Sequence, residues 1–352
     1  MIPMVWPWVS KYIWAHAVTV YEVLLHLGIV IVTTAAVFYI GMCGQTVDIE
    51  VWNGEVTGKE KAWTSCSHSY QCNCRNESCG KDCTTYVCDT CYEHSNDWDW
   101  NVYSNINDTT TINRVDRRGS NEPPRWTAVK IGEPYSDTKM FENYIKGAPD
   151  SLFNDKDLVT KYANLIPEYP ARVHDYYRLN HVLSVGVPVS DLVEWNSDMA
   201  TILKGLGPKK EANVVIVIAK TNQVDYAKAL KEAWLGGKKN DTIIIIGSST
   251  YPTIDFVDVF SWSSKTILDV ELRNAILDVK TLDRKKIIPI ITQQINTNFR
   301  RRSMEEFAYL KDEIVPPPWL LILTSILSIC VSAGVSYFTI TVDIFNQNRR
   351  RY

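Results

Sequence analysis

The sequence predicts an α/β protein: an extracytoplasmic βαβ domain and a small Cys-rich, loop/β-rich module, flanked by two transmembrane helices. Three observations carry this. Two uncharged apolar runs lie toward the ends of the 352-residue chain, cysteines crowd one stretch between them, and two β-branched runs bracket a helical pattern farther on. Composition is otherwise ordinary, with 45% hydrophobic and 22% charged residues and a formal net charge of -3. It excludes global disorder, and without a basic excess the chain has no field for nucleic acid. The 12 Trp and 18 Tyr outnumber the 9 Phe, and such amphipathic rings suit interfaces and membrane boundaries.

Residues 23–42 read VLLHLGIVIVTTAAVFYIGM and residues 319–342 read WLLILTSILSICVSAGVSYFTITV, both free of Asp, Glu, Lys and Arg. At about 1.5 Å of rise per residue, about 20 residues cross the hydrocarbon layer, so each run suffices for one span. Pro316, Pro317 and Pro318 would break any helix continuing into the second run. Glu22 and His26, one turn apart at the start of the first, are expected in the head-group layer. Two spans put both termini on one side. The lipid-facing basic residues Arg349, Arg350 and Arg351 mark that side as cytoplasmic. The expected layout is a cytoplasmic segment 1–22, a span 23–42, a Cys-rich module 43–124, an α/β domain 125–312, a span 319–342 and a basic tail 343–352. The bulk of the chain is then extracytoplasmic.

Cys43, Cys66, Cys72, Cys74, Cys79, Cys83, Cys88 and Cys91 fall in the exported part, and Cys330 lies inside the second span. Eight is an even number, and residues 66–91 hold few large aliphatic side chains. An exported segment that cannot build a core needs staples, so disulfides are one expectation. Zinc is the other: Cys72-x-Cys74 and Cys88-x-x-Cys91, with His68 and His94, offer tetrahedral ligands. In the run DWDWNVYS, Trp98 and Trp100 alternate as on a strand face. Asp97 and Asp99 flank them on an exposed edge strand or, alternatively, as calcium ligands. Asn76, Asn107 and Asn240 each open an N-x-[ST] sequon, of consequence in a eukaryotic secretory host.

Helices are expected over 141–145, 158–165 and 190–203, the last with Ser190 as N-cap. The string VLSVGVPV ahead of Ser190 fits no single pattern. NVVIVIAK at 213–220 and TIIIIG at 242–247 are continuous β-branched runs, the signature of strands buried on both faces. Between them Val224, Ala227, Leu230 and Trp234 recur at helical spacing, and Gly236-Gly237 ends that helix. Strand, helix and strand over about 35 residues make a parallel crossover. A third strand is expected over 254–260, then helices over 269–280, with Asp269 as N-cap, and over 287–299.

The stretch VVIVIAKTNQVDYAKALKEAWLGGKKNDTIIIIG resembles the core of the TPM domain family at Asp225, Trp234, Gly237, Lys238, Asn240 and Asp241. The likeness is strong over about 35 residues and weaker over about 170–300. It implies a membrane-anchored domain outside the cytoplasm that assists or modulates a membrane complex, with acid phosphatase activity and divalent-ion binding in some members. Two spans and a Cys insert depart from the family's usual single span, and DFVDVFSWSS stands where a Gly-x-Gly pattern is usual. The N-terminal half, with CSHSYQCNCR, CDTCYEH and DWDW, resembles uncharacterised membrane proteins of large tailed bacteriophages. That likeness implies a periplasmic location for the exported part.

The chain has no P-loop, G-x-G-x-x-G, H-E-x-x-H or G-x-S-x-G. Candidate catalytic carboxylates are Asp225, Asp241 and Asp255, near the predicted strands. They could bind one divalent cation that polarises a phosphoryl group. Their structural alternatives are a helix cap at Asp225 and a turn at Asp241. Asp255 and Asp258 have opposite strand parity and would face apart. Arg300, Arg301 and Arg302 could meet anionic head groups or lie on a solvated helix face. The function expected is therefore a membrane-anchored extracytoplasmic binding or accessory protein. A metal-dependent phosphatase is the rival reading, and a phage structural or host-takeover protein is a third. The partners implied are lipid and a protein in the membrane or exported compartment, with a homo-oligomer open and nucleic acid excluded. The cofactors implied are zinc in the Cys-rich module and a divalent cation in the α/β domain.

Overall fold

The computed structural model describes residues 19–80 and 83–342. The basic tail with Arg349, Arg350 and Arg351 and the segment 1–18 lie outside the described residues. The chain divides into two compact units, one formed by Met1–Asp48, Glu142–Leu152 and Met304–Tyr352, the other by Ile49–Phe141 and Phe153–Ser303.

In the first unit, helix α1 (Val20–Thr46) begins at a capping box. Glu22 Oε2 accepts the Thr19 N–H at 2.6 Å, and Thr19 Oγ1 accepts the Glu22 N–H at 3.3 Å. The C-terminal helix of the unit spans Pro318–Val342. Both are long and apolar enough to cross a membrane, with mean hydropathy 2.3 and 2.0 over their most apolar windows. Only 11% and 22% of those windows is buried, where the core helix of a soluble protein would be mostly buried. The two helices run antiparallel. Gly41 sits so close to Leu320 that a Cβ there would stand 2.4 Å from Leu320 Cδ1, and at the other end His26 Nε2 lies 2.7 Å from Ser332 Oγ. Glu22 and His26 are both buried: Glu22 caps its helix and His26 bonds across the pair. Cys43 belongs to the last turn of α1 and is a free, exposed thiol, which removes it from the expected staples. Where the chain leaves α1, Asn143 holds it. Its N–H donates to Thr46 O at 2.6 Å and its Nδ2 to Asp48 Oδ2 at 2.8 Å.

The second unit holds three sheets. The first runs in the order β5-β4-β1-β6, built from β1 (Val47–Thr64), β4 (Asp97–Ser104), β5 (Thr109–Ile112) and β6 (Pro134–Glu142). It takes its fourth strand from beyond residue 124, so it does not stop where the composition changes. Val56, Trp100, Val102, Ile112, Tyr135 and Tyr177 fill its core. β4 is an interior strand, not the exposed edge expected from DWDW. The second sheet is a lone ribbon of β2 (Ser69–Gly80) and β3 (Cys83–Tyr92), inserted between β1 and β4.

The third sheet has the order β10-β9-β8-β7. β7 (Val182–Val185), β8 (Asn213–Ala219) and β9 (Asp241–Gly247) are parallel, and β10 (Phe256–Ser261) closes it antiparallel. Every residue of β8 and β9 is buried. Alternate side chains serve opposite faces. Val214, Ile216, Ile218, Ile244 and Ile246 pack with the helices Leu192–Lys210, Ile267–Leu277 and Arg284–Asn298. Val215, Val217, Ile243 and Ile245 pack with the helix Asp225–Ala233 and with Trp234 and Tyr162. At about 25 cal/mol per Å², each fully buried Ile contributes about 2 kcal/mol. The predicted βαβ unit is therefore present within one residue of its expected strands, and VLSVGVPV supplies the edge strand β7. The helix after β8 stops as expected: Gly236 and Gly237 take φ of 73° and 76°, and the Gly236 N–H returns to Lys231 O at 2.8 Å. Two expected caps are corrected. Asp191, not Ser190, occupies the N-cap of Leu192–Lys210, and Asp269 lies inside the first turn of its helix, accepting from Ser261 Oγ at 2.7 Å.

Two glycines of the helix Leu192–Lys210 have opposite surroundings, and two substitutions should diverge accordingly. A Cβ at Gly205 meets nothing within 4 Å, so Gly205→Ala should stabilise by about 1 kcal/mol through helix propensity. A Cβ at Gly207 would stand 2.0 Å from Asn53 O, a backbone atom that cannot turn aside. Gly207→Ala should destabilise by about 2 kcal/mol. Thermal midpoints moving in opposite directions would bear this out; a rise for both would refute the close approach.

Candidate functional site

The three candidate carboxylates are not brought together. Asp241 opens β9, whereas Asp255 donates its N–H to Gly247 O, at the far end of the same strand, at 2.8 Å. Six steps of about 3.3 Å put roughly 20 Å between those ends. Asp225 does not cap its helix; Val224 holds that position. Its carboxylate accepts from Lys161 Nζ at 2.6 Å and Tyr162 OH at 2.5 Å, and these two, Lys161 first, hold it below the usual carboxylate range. Asp255 is used locally, accepting the Ser249 N–H at 2.5 Å. Asp241 closes the turn ahead of β9, its N–H donating to Lys238 O at 2.9 Å. It is buried and accepts from Tyr169 OH and Asn213 Nδ2, both at 2.8 Å, and from the Lys238 N–H at 2.7 Å. Burial pushes its carboxyl up to about 6 against those three donors.

Other candidates are also spent internally. Arg301 pairs with Glu50 and, at 2.5 Å, with Glu211, and its guanidinium lies 5.1 Å from the Trp52 ring centroid. Asp97 and Asp99 both pair with Arg114, at 2.9 and 2.7 Å. Asn240 is buried with its Nδ2 on Val51 O at 2.6 Å, which removes that sequon; Asn76 and Asn107 are exposed. A cleft of about 500 Å³ opens among the loops after β7 and β9, where sheets of this kind place ligands. Its Arg284 is neutralised by Asp191 at 3.3 Å and by Asp198.

The Cys-rich stretch is different. Cys72 pairs with Cys91 and Cys74 with Cys88, and Cys79 is disulfide-bonded too. The four cysteines offered as zinc ligands are therefore staples. They tie β2 to β3, whose register matches Tyr70 with Cys91 and Cys72 with Asp89. The ribbon buries almost nothing: eleven of the twelve residues of β2 are exposed. Tyr70, Tyr86 and Tyr92 stand 52%, 69% and 57% exposed on it.

At the foot of the ribbon β1 and β4 pair antiparallel, with Thr64 opposite Asp97. The links 65–68 and 93–96 therefore leave and re-enter the sheet side by side, and the Glu93 N–H donates to His68 O at 3.1 Å. This brings Cys66, His68, His94 and Asp97 together, their ligand-type atoms all within 4.8 Å of one another. Cys66 Sγ lies 3.7 Å from His94 Nδ1 and 4.0 Å from His68 Nδ1. Asp97 Oδ1 lies 3.2 Å from His94 Nδ1, and Oδ2 lies 3.5 Å from His68 Nδ1. Cys66 is a free, buried thiol. The side chain of Asp97 is fully buried. Burial would raise its carboxyl, but the Ser67 N–H at 3.2 Å and Arg114 outweigh that and hold it at about 2. Three members of this group, Cys66, His68 and His94, are among the sequence candidates; Asp97 was placed only on a strand or in a calcium site. Its partnership follows from the pairing of β1 with β4, which spacing does not reveal.

Comparison with protein families, with curated proteins and with solved structures finds no match.

Two measurements follow. Alkylation of the denatured, unreduced protein should label Cys43, Cys66 and Cys330 and leave Cys72, Cys74, Cys79, Cys88 and Cys91 blocked until reduction. The second concerns Asp241. Its folded value of about 6 lies above an unfolded value of about 3.9, so the folded state keeps this proton longer. The group favours folding fully below about pH 4, and that contribution is withdrawn as pH rises to about 6. The stability of the protein relative to Asp241→Asn should thus fall by roughly 2 kcal/mol from pH 4 to pH 7. Urea unfolding at the two pH values reads this; a difference independent of pH would refute it.

Proposed function

We propose that the chain is a membrane-anchored binding protein whose extracytoplasmic part holds a partner complex at the membrane surface. The observation that carries this reading is the β2–β3 ribbon. A two-stranded hairpin is marginal in water, and this one has almost no core of its own. The disulfides hold it rigid while Tyr70, Tyr86 and Tyr92 remain in solvent. Tyrosines on a stiff scaffold offer large contact area at little entropic cost, which is how binding surfaces are commonly made. In this reading the two apolar helices are spans and both termini are cytoplasmic, with Arg349, Arg350 and Arg351 at the cytoplasmic head groups. The stapled ribbon then lies in an oxidising compartment, where disulfides persist. The likeness of the βαβ unit to a TPM domain belongs to the same proposal, since such domains assist membrane complexes. Among the candidate carboxylates, the separation of Asp241 from Asp255 disfavours the phosphatase alternative.

The test is a photo-crosslinking residue at Tyr86 in intact membranes, followed by purification and mass spectrometry. One protein recovered at near-stoichiometric yield, and lost when Tyr70, Tyr86 and Tyr92 are changed to Ser, is the expected result. Asp225→Ala should leave that capture intact. Recovery of the chain alone, or capture indifferent to the tyrosines, would overturn the reading. Phosphomonoester turnover abolished by Asp225→Ala would favour the phosphatase.

A further inference from the structure

We infer that Cys66, His68, His94 and Asp97 bind one zinc ion, which clasps the foot of the β2–β3 ribbon. The inference does not depend on what the ribbon binds. Two imidazoles turn the same nitrogen, Nδ1, toward a common centre with a sulfur and a carboxylate oxygen. Around a tetrahedral zinc with Zn–S of about 2.3 Å and Zn–N and Zn–O of about 2.0 Å, sulfur and nitrogen ligands stand about 3.5 Å apart, and nitrogen and oxygen about 3.3 Å. The sulfur–nitrogen separations are 3.7 and 4.0 Å, and Asp97 Oδ1 lies 3.2 Å from His94 Nδ1. These agree with a tetrahedral site to within about half an ångström, and His68 Nδ1 lies 3.5 Å from the other carboxylate oxygen, Oδ2. One ligand-type atom from each of the four residues lies within 4.8 Å of the other three.

The cysteine pattern is the independent observation. Cys72, Cys74, Cys79, Cys88 and Cys91 are all oxidised, yet Cys66, within the same stretch, keeps its thiol. A ligand role explains why one cysteine is left out of the staples.

The donor set selects the metal. Calcium takes oxygen ligands and has no use for a thiolate or two imidazoles. Iron or copper would bring redox chemistry to a thiolate beside disulfides, whereas zinc has none. Four protein ligands close the coordination sphere, which is the mark of a structural site and leaves no position for water. On binding, the Cys66 S–H bond breaks, the Zn–S bond forms and a proton leaves to solvent. The imidazoles bind neutral and Asp97 as carboxylate. Around the ligands, the Arg114 guanidinium and the Ser67 N–H fix the Asp97 carboxylate, as outer groups of metal sites do. Because Cys66 and His68 precede β2 while His94 and Asp97 follow β3, the ion would tie the two strands of the neck to each other and to β4.

The test uses full-length protein extracted from membranes in detergent without chelator. Elemental analysis should find one zinc per chain, and Cys66→Ser and His94→Ala should each lose most of it. After exchange to cobalt, the protein should show the strong visible bands of a tetrahedral site and a thiolate-to-cobalt charge-transfer band. Cys43→Ser should retain that band and Cys66→Ser should not. Because Cys66→Ser can also fail by misfolding, Cys66→His serves as a second variant: it restores a nitrogen donor and should keep the zinc while losing the charge-transfer band. Three results would overturn the inference: zinc undetectable even after its addition, with the Cys66 thiol alkylated as fast as a free one; zinc content unchanged in Cys66→Ser; or iron or copper bound in place of zinc.

Discussion

Strands β8 and β9 lie side by side in parallel with no residue of either exposed, a condition met only when both faces of the sheet are covered. Much of the second unit follows from it. Parallel neighbours need a crossover, and the crossover helix Asp225–Ala233 lands on one face. The other face is then left to Leu192–Lys210, Ile267–Leu277 and Arg284–Asn298, which bring Trp195, Leu203, Leu272 and Ile291 against alternate isoleucines. Several buried polar side chains at the strand starts bond one another in series. Asn213 donates to Asp241, Asn53 donates to Asn213, and Ser136 donates to Asn53, so a chain of hydrogen bonds runs from the α/β sheet to β1 and β6. The two larger sheets of this unit are thus joined through polar contacts as well as through the close approach at Gly207.

This constraint also explains what could be read from the chain beforehand. A strand buried on both faces is a continuous β-branched run, so NVVIVIAK and TIIIIG declared themselves, and the helix between them showed its period at Ala227 and Leu230. The first sheet did not. In β1 the burial alternates only over its first four residues, and Gly54, Gly58 and the charged run Lys59-Glu60-Lys61 further break the pattern. Its partners β4 and β6 come from far along the chain, and no local signal announces them. Arg301 is a sharper case: its partner Glu50 lies 251 positions away, so one member of a basic triplet read as a surface feature is in an ion pair with a buried carboxylate. At the neck of the ribbon, two histidines near cysteines were visible as ligand candidates, but the choice among eight cysteines depended on which of them the ribbon consumes.

The two units solve the shortage of core differently. The ribbon has no apolar interior and relies on covalent ties, at the cost of needing an oxidising compartment. The apolar helices of the first unit keep most of their side chains outward, and along their shared seam the contacts are small or polar: Gly41 under Leu320, and His26 against Ser332. Small residues allow close backbone approach where burial of apolar surface gives no advantage.

The buried position of Asn240 has a practical consequence for making this protein. Its side chain must reach Val51 O, yet the tripeptide Asn240-Asp241-Thr242 is an acceptor for oligosaccharide while the chain is still extended. A secretory pathway that adds glycans to nascent chains would set modification in competition with sheet formation, and each modified chain would be barred from closing β8 onto β9. Preparations from such cells would contain a fraction that is full-length, glycosylated and unable to fold, whereas a host without that enzyme would not.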